Sequence, residues 1–541
     1  MPAAVKKNLA GKQFGIDGHA QVAGSKNFKH GCLRRFARTA AAGAAAISLF
    51  LLSAWQVEAQ TFTVIHNFTG SDGAKPFAGL TRDASGNLYG TTSSGGSAAY
   101  YGTVFKIDDA GNYSVLHSFN WTAGANWLDG AYPLADLALD ASGNLYGTTS
   151  SGGPDGRGTV FKIDRAGKEA IFHYFTDLAW YPRAGVVLDA SGNLYGTTWG
   201  FDGSPSTVFK IDPAGNETDY RNTADGYDSD LVLDSSGNLY GTNEYGGSYG
   251  SGSVFRIDAA GNESVLHSFS LDGIDGWEPH SGVIFDSSGN LYGTTFWGGA
   301  GGYFGAGIVF KIDPAGHETI LHDFNGPGDG EGPVAGLVRD AAGNLYGTTS
   351  GGGSGYWGTV FKIDSAGNET ILHNFTGGDD GGTPVARLLL DPSGNLYGTT
   401  YWGGSANLGT VFKISFPVPF SSFTAKLDTI GGYPPGFQLQ GFFTQGKNAP
   451  AIDPVTQGMT LSVGTYTAAV PPGLFHQTRK GWWVYEGELA GVSLEVRISQ
   501  KGASLYELQV DASGVDVTSL PNPVTVALAL GNNTGTTEAY K

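Results

Sequence analysis

The chain has 541 residues, of which 87 are Gly, and only 31 Lys and Arg stand against 49 Asp and Glu, a net charge of −18. High Gly with abundant Tyr and Phe and 40% hydrophobic residues excludes a disordered chain and favours strands and tight turns over helices. Acidity of this order excludes nucleic acid and anionic lipid as partners.

In chain order, residues 1–59 are expected to be an export signal with a long leading region. Arg34, Arg35 and Arg38 precede an apolar run from Ala40 to Ala54, and Val57-Glu58-Ala59 supplies a cleavage pattern before Gln60. Removal of that segment leaves a net charge of −24 and takes away the single cysteine, Cys32. Residues 60–541 then hold no disulfide, thiol nucleophile or cysteine metal site. No later segment is apolar for long enough to span a membrane. The expected location is extracellular, at the cell surface or periplasmic.

Residues 60–415 are an internal repeat. GNLYGT occurs seven times, beginning at Gly86, Gly143, Gly192, Gly237, Gly289, Gly343 and Gly394, and each copy is followed by VFKI or VFRI, beginning at Val104, Val160, Val208, Val254, Val309, Val360 and Val411. The sixth copy predicts four short strands over Val334–Asp340, Asn344–Thr349, Thr359–Asp364 and Glu369–Phe375. Turns of the form Asp-x-(Ala/Ser)-Gly-Asn join the first strand to the second and the third to the fourth. The Asp is placed to bond the turn backbone and the Gly to take positive φ. Four antiparallel strands recurring at this period predict an all-β fold, a seven-bladed β-propeller. The last copy stops after Ile414 without a fourth strand, and Thr61–Phe68 is a spare fourth strand, so the N-terminal strand is expected to close the ring as part of the seventh blade.

The GNLYGT, GTVFKID and LHSF-like segments resemble the Gloeo/Verruco repeat of bacterial choice-of-anchor exported proteins, over about residues 61–415. The resemblance implies export and a propeller, and no activity. The chain departs from that pattern in having no C-terminal Pro-Glu-Pro motif, spanning helix and basic tail, so the resemblance carries no anchor over. Residues 416–421 read as a linker. Residues 422–541 alternate apolar and polar positions, as in Val492-Ser493-Leu494-Glu495-Val496-Arg497-Ile498, and predict a β-sandwich-like domain.

Function is expected on the propeller rim that carries the second-to-third-strand loops and the blade-to-blade loops. Candidate ligand-binding residues there are Trp127, Trp199, Trp277, Trp297, Trp357, Trp402, Tyr245, Tyr356 and Tyr401, with Asp129, Asp275, Glu278 and His280. Flat aromatic faces beside carboxylates suit sugar rings, so the leading expectation is a monomeric, non-catalytic binding or scaffold protein. Its partner would be an extracellular glycan or a cell-envelope protein. A polysaccharide hydrolase or lyase using rim carboxylates is the alternative, and a purely structural envelope protein is a third. No catalytic residue, cofactor or metal is assigned. Asp-Gly recurs in most copies, as at Asp129-Gly130, Asp275-Gly276, Asp329-Gly330 and Asp380-Gly381, which marks it as a loop-forming device. The repeated fourth-strand histidines, such as His117, His267 and His322, read as structural, because equivalent positions in different blades point apart.

Overall fold

A computed structural model describes residues 60–540 except 98–99, 121–127, 177–180, 201–205, 224–228, 271–274, 301–304, 432, 447–448 and 450. The fold is all-β. Among the described residues the one helix is the single turn Pro454–Gln457, and none is long and apolar enough to cross a membrane.

Each GNLYGT copy lies in a four-stranded antiparallel sheet, seven such sheets in all among the described residues. In the sixth, the strands are Val338–Arg339, Leu345–Thr349, Thr359–Ile363 and Glu369–Asn374. The first strand is thus only two paired residues long, shorter than Val334–Asp340 suggested, because the chain on its N-terminal side is engaged by the neighbouring sheet. The sheet of the seventh copy takes its outer strand from the other end of the chain. Thr61–Asn67 pairs antiparallel with Thr410–Ser415, Thr61 opposite Ser415 and Asn67 opposite Thr410.

Every letter of the repeat has a physical task. In the first copy Asp83 Oδ1 accepts the N–H groups of Ser85 and Asn87, each at 2.9 Å. Its Oδ2 accepts the Asn87 amide at 2.7 Å and the Tyr89 hydroxyl at 3.1 Å. Gly86 sits at φ +93°, the left-handed region that other residues avoid. Gly90 makes room for the aromatic ring of the third strand, since a Cβ there would lie 2.6 Å from Phe105 Cζ.

The first Thr after the Gly joins one sheet to the next. Thr91 donates to Ala135 O at 3.4 Å, Thr148 to Ala184 O at 3.0 Å, Thr197 to Ser229 O at 3.2 Å and Thr242 to Ser281 O at 2.9 Å. Thr294 donates to Ala335 O at 3.2 Å, Thr348 to Ala386 O at 3.4 Å, and Thr399, in the last copy, to Ala78 O of the first at 3.0 Å. Outside this line of bonds lie apolar clusters that each draw on two adjacent sheets, such as Tyr292, Val309 and Phe324 against Leu337, Leu345 and Phe361. Full burial of each such Phe is worth about 1.5–3 kcal/mol.

A Gly–Pro contact adds to the join. Gly409, at φ +95°, lies under Pro76 of the first copy, and a Cβ on it would come within 2.6 Å of Pro76 Cδ. Gly102 meets Pro133, and Gly358 meets Pro384, in the same way. The residue before that Pro is held at positive φ in several copies (Lys75, Tyr132, Tyr181, Glu278 and Thr383), and its N–H donates to the preceding copy, as Thr383 N does to Trp357 O at 2.7 Å.

Residues 418–539 build two further sheets. One orders Val418–Pro419, Asn533–Ala539, Val524–Leu530, Met459–Val463 and Tyr466–Val470. The other orders Ser422–Ile430, Gly436–Thr444, Leu505–Ser513, Val492–Gln500, Trp482–Leu489 and His476–Gln477. The sheets share one core that includes Leu427, Leu439, Leu461, Val496, Leu508 and Val526. Residues 416–421, expected to be a linker, are instead built in. Phe416 packs on Tyr346 at 6.2 Å, Val418–Pro419 pairs in parallel with the C-terminal strand, and Phe420 is buried.

Gly409 and Gly111 allow the Gly–Pro contact to be weighed. Both have positive φ, but a Cβ on Gly111 meets nothing within 4 Å. Ala at either position costs about 1–2 kcal/mol for the left-handed backbone, and at 409 clashes with Thr400 O of its own copy and with Pro76 Cδ add to that. Gly409→Ala should therefore lower Tm by at least ~5 °C more than Gly111→Ala. Equal shifts in scanning calorimetry would show that the close packing around Gly409 adds nothing to stability.

Candidate functional site

The loops between second and third strands, and those between sheets, carry the aromatic residues singled out from sequence. They divide into two groups. Tyr356 is 73% exposed, Tyr245 45% and Trp357 41%, and they are joined by Tyr100 at 69%, Tyr249 at 64% and Phe77 at 43%. The others pack against the scaffold. Trp277 and Trp297 sit opposite each other on a two-residue ribbon, Gly276–Trp277 paired with Trp297–Gly298, with rings 6.2 Å apart. Trp402 lies edge-to-face with Tyr401 at 5.0 Å and carries Lys75 Nζ over its ring at 4.4 Å. Trp199 carries the Arg183 guanidinium at 4.6 Å. Trp127 lies outside the described residues.

His280 and Glu278 come together with a residue the sequence did not single out, Glu244. The His280 ring nitrogens lie 4.0 Å from Glu244 and 4.0 Å from Glu278, and the ring meets Phe296 edge-on at 5.2 Å. Burial, and secondarily the charge of Glu244, raises the Glu278 carboxyl above its ordinary value. Burial lowers His280, against the pull of Glu244 and with the help of Arg183.

Asp129 and Asp275 are engaged inside the scaffold. Asp129 accepts the N–H of Asn120 at 2.8 Å and of Gly130 at 2.9 Å, and its Oδ1 lies 3.4 Å from His117 Nε2. Asp275 accepts from Ser270 and Gly276 and lies 3.6 Å from His267. Asp329 and Asp380 meet His322 and His373 at 3.2 and 3.1 Å. The repeated Asp-Gly is thus the partner of the repeated His, and it shapes the loop with its second oxygen. A third group, the Glu that opens the fourth strand of the next copy, completes the set. His117–Asp129–Glu169, His267–Asp275–Glu318 and His322–Asp329–Glu369 each bring their ligand-type atoms within 4.8 Å of one another, as do Glu244, Glu278 and His280. The histidines of different copies do not converge; His117, His267 and His322 each gain two carboxylates, and His66, His173 and His373 pair with Asp72, Glu217 and Asp380. The missed signal was the Glu at a fixed place in several copies.

A further group was missed altogether. The position just ahead of each first strand is Gly79, Gly185, Gly282 and Gly336 in four copies, and Asp136, Asp230 and Arg387 in the others. All of these except Gly79 border an inner cavity of about 330 Å³, whose walls include Ala138, Val187, Val232 and Ile284. Arg387 Nη2 lies 3.2 Å from Asp136 Oδ2, and Asp136 Oδ1 accepts the Gly79 N–H at 2.5 Å. Asp230 Oδ1 accepts the Gly185 N–H at 2.8 Å. The close approach requires the glycines, since a Cβ on Gly79 would lie 2.9 Å from Asp136 Oδ1 and 2.7 Å from Arg387 O. Burial and the charge of Asp136 raise the Asp230 carboxyl, with Arg387 opposing.

The chain belongs to the Gloeobacter/Verrucomicrobia repeat family, whose model matches residues 51–230 and 227–446. No curated protein matches the sequence. Among solved structures, a protein of unknown function from Dyadobacter fermentans is similar with 12% identity and TM-score 0.35, covering 65% of this chain and 96% of its own. Trypanosoma rangeli sialidase gives 10% identity and TM-score 0.31 over 88% of this chain and 96% of its own. A PL25 ulvan lyase gives 10% and 0.27 over 86% and 96%. Overlaps this shallow carry no function over to this chain.

One consequence of the His–Asp–Glu groups is measurable. Burial, together with the charge of Asp329, pushes the Glu369 carboxyl up to about 7. The folded state therefore holds that proton more tightly than the unfolded state does. The associated stability is present at low pH and is lost as pH rises from the ordinary glutamate range through about 7. Gln mimics the protonated side chain. Glu369→Gln should match the parent's Tm near pH 4 and exceed it by ~2 °C at pH 8. A variant less stable than the parent at pH 8 would mean that His322 depends on the charge.

Proposed function

We propose that the chain is an exported, closed seven-bladed β-propeller that binds an extracellular glycan on its loop face without cleaving it, and carries a C-terminal β-sandwich. Closure is supported by the pairing of Thr61–Asn67 with Thr410–Ser415 and by the bond from Thr399 to Ala78. Export is supported by the pattern of residues 34–59.

The observation that carries the binding reading is the distribution of exposed rings. Within residues 60–415, every exposed large aromatic among the described residues lies in the loops that join second to third strands or one sheet to the next: Phe77, Tyr100, Tyr245, Tyr249, Tyr356 and Trp357. Aromatic surface gathered at one end of a fold is unfavourable in water unless something covers it. Tyr and Trp suit a sugar, with a flat face for C–H groups and a polar edge for hydroxyls. Of the three rim carboxylates singled out by sequence, Asp129 and Asp275 are tied to loop N–H groups and to histidines, and Glu278 alone lies beside Glu244 and His280. That arrangement favours binding over turnover.

The test is depletion of the purified protein from solution by a panel of insoluble polysaccharides, with released reducing ends assayed in the same tubes. Retention on at least one polymer without release of ends is expected. Combined Tyr100→Ala, Tyr249→Ala and Tyr356→Ala should weaken it about tenfold or more, the equivalent of ~1.4 kcal/mol, at unchanged Tm. Retention that survives the triple change would reject the loop face as the binding surface, and released ends would reject a purely binding role.

A further inference from the structure

We propose that the inner cavity bounded by Asp136, Asp230 and Arg387 is a second binding site, for a small neutral polyhydroxylated ligand of monosaccharide or alditol size. The proposal does not rest on the loop-face reading.

Its foundation is a break in symmetry. The turn Asp, the ring-accommodating Gly, the linking Thr and the loop Asp recur from copy to copy because they build the fold. The position ahead of the first strand does not follow that rule. Four copies carry Gly there and three carry a charge. The copies with Gly are joined to their neighbours by the same Thr-to-carbonyl bond as the charged ones, for example Thr148 to Ala184 O and Thr294 to Ala335 O. Charges are therefore not needed to join the sheets. Placing them inside the molecule carries a desolvation penalty that Gly would avoid. All three charged residues border the same cavity, and two of the intervening glycines give the carboxylates room.

The chemistry of the lining selects the ligand. Arg387 and Asp136 neutralise each other, and only one guanidinium nitrogen is engaged by that pair at 3.2 Å. A guanidinium has five N–H donors, so Arg387 retains donor capacity. Its side chain is 42% accessible although it lies deep in the protein, because it opens onto the cavity. Asp230 uses Oδ1 for Gly185 N–H, which leaves Oδ2 as an acceptor or, once protonated, a donor. Burial and Asp136 favour that protonated form. An anion would meet two carboxylates and a cation would meet the guanidinium. A neutral polyol meets donors and acceptors, with Ala138, Val187, Val232 and Ile284 available to its C–H face. A volume of about 330 Å³ is at the small end of ligand sites, which run from about 300 to 1,000 Å³.

The experiment is isothermal titration of the full-length protein with a panel of common hexoses, pentoses, 6-deoxyhexoses and alditols. Arg387→Gln and Asp230→Asn are made separately, so that either decides the matter if the other does not fold, and Tyr356→Ala serves as the loop-face control. At least one panel member should bind saturably. Each inner-cavity change should weaken it about tenfold or more at unchanged Tm, with no effect of Tyr356→Ala. No saturable binding across the panel would overturn the proposal, as would binding indifferent to both inner-cavity changes. A drop in Tm on Arg387→Gln together with unaltered ligand binding by Asp230→Asn would assign the charges to structure. Failure here leaves polymer retention by the loop face untouched, and the reverse also holds.

Discussion

The arrangement of residues 60–415 depends on one buried hydrogen bond used seven times. A threonine on the second strand of each sheet donates to a carbonyl just ahead of the first strand of the next, from Thr91 to Ala135 through Thr399 to Ala78. The donor is buried in each case and the acceptor lies outside the strands, so losing the bond leaves a desolvated carbonyl unpaired, and the hydroxyl too except where Thr242 and Thr294 have a second partner. The bond fixes where the first strand can begin. That is why first strands are only two paired residues long, and why the chain ahead of them is free to line a cavity and carry whatever side chain the copy supplies.

Much of this fold was legible in the sequence because each repeated letter has a local task. The Asp, Gly and Asn of the turns could be assigned from turn chemistry alone, and the spare strand at Thr61 could be matched to the missing one after Ile414. What a neighbouring copy supplies was not legible. The Asp-Gly loops were recognisable as a device, but that Asp129 meets His117 while Glu169 of the next copy closes on both needs the packing of adjacent sheets. The segment at 416–421 looked like a linker because strand Val418–Pro419 is only two residues long and pairs with the far end of the chain.

The candidate sites were legible to different degrees, for a physical reason. Aromatic residues in loops are conspicuous, yet sequence does not distinguish those that cover the scaffold from those that face water. Trp402 under Lys75 and Trp277 against Trp297 are of the first kind, and Tyr356 is of the second. Asp136, Asp230 and Arg387 escaped notice for the opposite reason. A search for what repeats passes over what does not, and these residues stand out only once the seven copies are aligned by their first strands.

The strand Thr61–Asn67 has a consequence for how the chain reaches its final state. It is among the first segments of the repeat to be synthesised, and its partner, Thr410–Ser415, follows the last GNLYGT. Six sheets can form in order from contacts within their own copies, each waiting only for its neighbour. The seventh has to join segments from opposite ends of the repeat, the step with the largest loss of chain entropy. Until then Thr61–Asn67 and Thr410–Ser415 each leave an unpaired edge, the state in which strands recruit other chains. Joining those two segments is the step that leaves strand edges unpaired for longest, and conditions that delay it favour aggregation.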